Sequence, residues 1–305
     1  MRYLKIEKSH SNKYLLVNFY LCLFFITLSA YATEILDVTL MRVKVPDHPQ
    51  RVICLAPSLS ELAADLVGLD LKRIVGVSEY SDYPPAVKKI VSIGSYTQIN
   101  LEKILSLKPD LVLATADGNS KDQVIHLREL GITVVVVDTG DFDQVCRSIL
   151  LVAKALGSLS LGEQMVSHFR SELASMREQG KSRAPVKVLL QIGDDPLVVV
   201  GRKSFLHSAL ELLGAKNAYG NTESHYPRPS LEDIIHLDPD IILVMTLGED
   251  PQSYKRMVMK WQQFSGMTAV KNKKVLVFKS DVLLRPTLRM IEGLNLLNRA
   301  IYGKN

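Results

Sequence analysis

Leu101-Glu102-Lys103-Ile104-Leu105-Ser106-Leu107-Lys108-Pro109-Asp110-Leu111-Val112-Leu113 returns 130 residues later as Leu231-Glu232-Asp233-Ile234-Ile235-His236-Leu237-Asp238-Pro239-Asp240-Ile241-Ile242-Leu243, with seven of the 13 positions identical. Each copy reads as a short helix, broken by Pro, that feeds an apolar strand. Convergence on a common helix-Pro-Asp-strand unit would explain either copy alone. An internal pair of similar lobes explains both, and it sets Glu102 and Glu232 at equivalent points near helix N-termini.

Outward from the first copy, β-rich runs alternate with helical stretches: Arg51 to Leu55, Leu59 to Val67, Ile74 to Val77, Gln123 to Leu130, Ile132 to Val137. Such alternation implies a parallel sheet with helices on both faces. Val134-Val135-Val136-Val137 lacks polar alternation, as a strand covered on both sides requires. From Asp143 to Gly180 the pattern is helical, interrupted at Gly157-Ser158, with Met165, Phe169 and Leu173 spaced by four. Alternation then resumes with Val186 to Gln191, Phe205 to Leu213, the second copy, Val275 to Phe278 and a closing helix from Thr287 to about Ile301. The expected fold is α/β: two Rossmann-like lobes with mainly parallel sheets, at 33–157 and 183–305, joined by a long connecting helix at 158–182.

Residues 1–32 have the layout of a cleavable secretory leader. Arg2, Lys5, Lys8 and Lys13 precede an apolar run, Leu15 to Leu28, that ends in Ala30-Tyr31-Ala32. That run of 14 residues contains Asn18 and falls short of the roughly 20 apolar residues that span a bilayer. No Cys follows the small residues, so a lipid-anchored N-terminus is not indicated. The leader holds four of the 37 basic and one of the 32 acidic residues, which leaves 33 against 31. A nearly balanced mature chain gives no reason to expect nucleic acid or an anionic membrane surface as partner. Cys54, in a strand, and Cys146, on a helix, read as buried free thiols.

An α/β enzyme is the rival class. After the first strand stands Leu55-Ala56-Pro57-Ser58 rather than a glycine-rich turn, and the chain has no G-x-x-x-x-G-K and no G-x-S-x-G. Its seven His are scattered, with none paired for a sequence-local metal site, and His126, His168, His207 and His236 read as helix residues. Asp138, Asp141 and Asp143 follow a strand end and read as turn and cap residues. No catalytic residue, resident metal or cofactor is expected.

Pro49-Gln50-Arg51-Val52-Ile53 running into Leu55-Ala56-Pro57-Ser58 with Glu61 resembles the opening of siderophore and vitamin B12 periplasmic binding proteins. The block Val75-Gly76-Val77-Ser78-Glu79-Tyr80-Ser81-Asp82-Tyr83-Pro84-Pro85 is similar to the B12 branch in particular, as are Asn100-Leu101-Glu102 and Asp117-Gly118-Asn119. The likeness runs from about Val45 to the C-terminus. It implies a class III periplasmic binding protein: a periplasmic solute-binding component of an ABC importer, a monomer when free, holding cobalamin or a related corrinoid between its lobes. A ferric siderophore or haem is the alternative cargo. It further implies ligand contacts from Tyr80, Tyr96, Tyr226, Asp281 and Arg285, and docking of Glu102 and Glu232 onto the permease subunits. Tyr96 and Tyr226 stand where the best-known B12 binders have Trp, Thr115 likewise replaces a Trp and Ile192 a Phe. The lack of a suitably placed His argues against a side chain touching the cobalt, which the sequence leaves open.

Overall fold

The structure is a computed structural model that describes residues 32–245, 251–278 and 281–303, with the backbone alone for Pro251 and Asp281. The expected leader therefore lies outside the described residues except for Ala32. Among the described residues no helix is long and apolar enough to cross a membrane.

The chain enters through a hairpin that the periodicity did not disclose, β1 (Ala32–Leu36) paired antiparallel with β2 (Arg42–Pro46). The buried Asp37 fastens this hairpin to the first lobe by accepting from Val136 N and Arg128. Then follow β3 (Val52–Cys54), α1 (Pro57–Val67), β4 (Ile74–Val77), α2 (Leu101–Ser106), β5 (Leu111–Thr115), α3 (Lys121–Glu129), β6 (Val134–Val137) and α4 (Phe142–Ala155). Their sheet is wholly parallel in the order β4-β3-β5-β6.

The connector α5 (Leu159–Lys181) has 23 residues. It buries Gly162, Val166, Phe169, Leu173, Met176 and Gly180, alternating steps of four and three that keep one stripe inward. Beyond it come β7 (Lys187–Asp194), β8 (Leu197–Val199), α6 (Phe205–Leu212), β9 (Lys216–Asn217), α7 (Leu231–Leu237), β10 (Ile241–Met245), α8 (Pro251–Gln262), α9 (Thr268–Lys271), β11 (Val275–Phe278), α10 (Asp281–Leu284) and α11 (Met290–Tyr302). The second sheet runs β11-β10-β7-β8 with β9 beside β7, parallel except where β8 turns back along β7.

The repeated sequence is a repeated structure down to single hydrogen bonds. Lys108 and Asp238 both take left-handed backbone, φ +48° and +39°, ending α2 and α7 before the Pro. Asp110 accepts from the backbone N–H of Gln50 and Arg51, and Asp240 from that of Lys187, so each Asp ties its own strand to the start of a neighbour. Arg51 reaches back to the Leu107 carbonyl as Lys187 does to that of Leu237, each satisfying an otherwise unpaired C-terminal group of a helix. Both central strands are buried throughout, and their residues alternate between two cores. Leu111 and Leu113, with Ile241 and Leu243, face one core shared through Phe169 and Leu173 of α5. Val112 and Ala114 face a core under α2, and Ile242 and Val244 one under α7 and α8.

Candidate functional site

Open parallel sheets gather loops at the carboxyl ends of their strands, and a cleft of about 1160 Å³ lies there between the lobes. From the first lobe it is lined by Tyr96, by Ala116 and Asp117 after β5, and by the turn Asp138 to Asp141 after β6. The second lobe supplies Lys203, Phe205 and Ser208 around the start of α6, the pair His225-Tyr226, Leu284 at the end of α10 and Pro286 after it.

Tyr96 is set by the Asp117-Gly118-Asn119 turn. The buried Asn119 donates to the carbonyls of Tyr96 and Leu55 and accepts from Thr115 N, tying the loop to the ends of β3 and β5. Gly118 lets the Tyr96 ring lie against the backbone, since a Cβ there would stand 2.8 Å from the ring. Opposite, the segment carrying His225 and Tyr226 is stapled along the outgoing end of β8. Val199 N donates to the Pro227 carbonyl and Gly201 N to that of His225, an approach close enough that a Cβ on Gly201 would meet Ser224 O at 2.3 Å. The His225 and Tyr226 rings stand 6.3 Å apart and are tilted by 45°.

Three carboxylates face the cleft from the first lobe. Burial pushes the Asp117 carboxyl above its ordinary value; Thr139 Oγ1, donating at 2.9 Å, opposes this and the neighbouring charge of Asp138 adds to it. Asp138 accepts from Gln144 Nε2, and Asp141 caps α4 by accepting from Gln144 N at 2.7 Å. Each keeps acceptor capacity toward the opening. Among the described residues no group of three His, Cys, Asp or Glu is placed to hold a metal ion.

Of the residues singled out in sequence, Tyr96 and Tyr226 come together across this cleft. Tyr80 is exposed and does not line it, and the side chain of Asp281 lies outside the described residues. Arg285 points instead into a seam between the lobes, where it pairs with Asp82. That pairing holds the Asp82 carboxyl below its usual range against the opposing effect of burial. Beside it the Arg289 guanidinium stacks 3.7 Å above the Tyr83 ring, and Thr287 Oγ1 donates to the buried Glu61 at 2.6 Å. So the Tyr80 to Pro85 block, with Glu61, carries a polar brace between the lobes.

Glu102 and Glu232 are each exposed as the second residue of their helices, α2 capped by Asn100 and α7 by the reciprocal Ser230–Asp233 pair. Both thiols, Cys54 and Cys146, are free and buried, and desolvation raises the pKa of each. The sequence reading found no suitably placed His and missed His225, which stands on the cleft wall. Its signal was adjacency to Tyr226.

The periplasmic binding protein family model matches residues 52–282. The chain belongs to that family. It is 30% identical over 262 residues to the vitamin B12-binding protein of Vibrio cholerae, covering 86% of this chain and 92% of that protein. The crystal structure of the periplasmic vitamin B12 binding protein BtuF of Vibrio cholerae superposes with a TM-score of 0.71 at 29% identity, over 83% of this chain and 96% of that one. A possible iron-binding periplasmic solute-binding protein of Staphylococcus epidermidis gives a TM-score of 0.73 at 27% identity, over 83% and 99%. The expected two-lobed α/β architecture of a class III periplasmic binding protein is thus the observed one. Family members bind solutes, which sets the α/β-enzyme alternative aside.

Proposed function

We propose that this chain is the periplasmic component of an ABC importer that takes cobalamin or a related corrinoid into its interlobe cleft and hands it to the membrane permease. The observation that carries this reading is the cleft itself, which presents Tyr96 from one lobe and Tyr226 from the other across about 1160 Å³. That exceeds the ~300–1,000 Å³ usual for drug-sized ligands and suits a macrocycle. A corrin ring offers flat apolar faces to the two phenols and a rim of amide arms whose N–H groups can donate to Asp117, Asp138 and Asp141. The likeness to B12-binding proteins in sequence and fold supports the same cargo.

A ferric siderophore is the second reading, favoured by the likeness to the possible iron-binding protein. Three carboxylates, Asp117, Asp138 and Asp141, outnumber Lys203 on the cleft wall, and this balance counts against anionic ferric complexes and against the propionates of haem, because like charges in a partly desolvated cleft repel. In our reading the leader exports the chain, Arg285 contributes by bracing the lobes beside the cleft, and Glu102 and Glu232 meet the permease.

Equilibrium dialysis against cyanocobalamin tests the site. Tyr96→Ala and Tyr226→Ala should each weaken binding about tenfold, or about 1.4 kcal/mol. Unchanged affinity in both variants would place the corrinoid elsewhere.

A further inference from the structure

The cleft contains a nitrogen base that stacking on the two tyrosines does not use. His225 lines the cleft beside Tyr226, is exposed, and its ring nitrogens bond no other described residue. Its backbone is held on both sides. Gly201 N donates to the His225 carbonyl, Lys203 N to that of Ser224, and Val199 N to that of Pro227. The imidazole, carried on a held backbone and unpartnered among the described residues, is free to bond a ligand in the cleft, and neutral imidazole is the commonest protein ligand for transition metals. The Tyr226 ring at 6.3 Å limits the space in which the imidazole can swing.

We propose that His225 coordinates the cobalt of the bound corrinoid, so that the cleft selects corrinoids whose upper axial ligand exchanges readily. The proposal rests on the corrinoid reading of the cleft. The step is a ligand substitution without redox change: a lone pair of neutral His225 forms a Co–N bond, the Co–O bond to an axial water breaks, and that water leaves. Cobalt stays Co(III) and no proton moves. Aquocobalamin can undergo this exchange. Cyanocobalamin, whose cyanide is held tightly, keeps its ligand and is bound by stacking and hydrogen bonds alone.

The test is absorption spectroscopy with parallel affinity measurements on the purified protein, using aquocobalamin and cyanocobalamin as probes. Wild type should shift the visible bands of aquocobalamin toward those of its imidazole adduct, leave the cyanocobalamin spectrum in place, and bind aquocobalamin at least about tenfold more tightly, which is about 1.4 kcal/mol. In His225→Ala both the band shift and the affinity difference should vanish. Binding of both cobalamins with an unmoved aquocobalamin spectrum would overturn the role of His225 and leave the corrinoid reading standing. A shift that persists in His225→Ala would overturn it too. Binding of neither cobalamin would remove the corrinoid reading and this inference together.

Discussion

At the scale of single residues, the brace between the lobes has a pH dependence of calculable sign. Burial pushes the Asp65 carboxyl up to about 6, the neighbouring Glu61 adding to the rise and Arg289 opposing it. The folded protein thus holds this proton to a higher pH than the unfolded chain, which releases it near 3.8. Between those two values the native state binds more protons, so stability falls as pH rises through that window and the loss is complete above it. Asp65→Asn should therefore raise the melting temperature at pH 7.5, by the equivalent of about 1 kcal/mol after discounting for the exposed part of the side chain, and leave it almost unchanged at pH 4. Thermal melts at the two pH values check this; an equal gain at both would show that charge is not the cause. The residue scale is also where sequence was least legible. Arg285 reads as a ligand contact by resemblance, yet its partner Asp82 lies 203 positions away, a distance over which no local pattern speaks.

Elements were far more legible. The repeated Leu-Glu-x-Ile-x-x-Leu-x-Pro-Asp unit became α2-β5 and α7-β10 because each of its features answers a backbone requirement: Pro ends the helix, Asp closes onto N–H groups at the start of a neighbouring, earlier strand, and alternating apolar residues serve two cores. The β1-β2 hairpin escaped notice because its burial is slight, with Ile35 and Val45 its only buried apolar residues. The helix α8 escaped notice although Tyr254, Met257 and Trp261 recur at helical spacing and form its buried face, with Trp261 anchored to Gln191 by a 2.7 Å bond. The same equivalence that reveals two lobes presents Glu102 and Glu232 as matched exposed carboxylates on α2 and α7. Reversing both charges, Glu102→Lys with Glu232→Lys, should leave cyanocobalamin affinity within about twofold while abolishing uptake into cells that depend on this importer. Loss of ligand affinity in the double variant would refute docking as their role.

For the whole molecule, one helix of 23 residues and a shared core join lobes that are also tied by Asp82–Arg285 and by Glu61 with Thr287 and Arg289. Such an assembly has few backbone torsions free to act as a hinge, so ligand meets a cleft largely formed in advance. The alternation of strands and helices made this architecture readable. The cargo was legible only as a resemblance, because the cleft is assembled from loops whose meeting depends on the fold. Calorimetric titration of the purified protein with cyanocobalamin, a ferric hydroxamate siderophore and haem tests the cargo most directly. Saturable heat at one equivalent of cyanocobalamin, with neither iron ligand competing, is the expected result; saturable heat from an iron ligand and none from cyanocobalamin would contradict it.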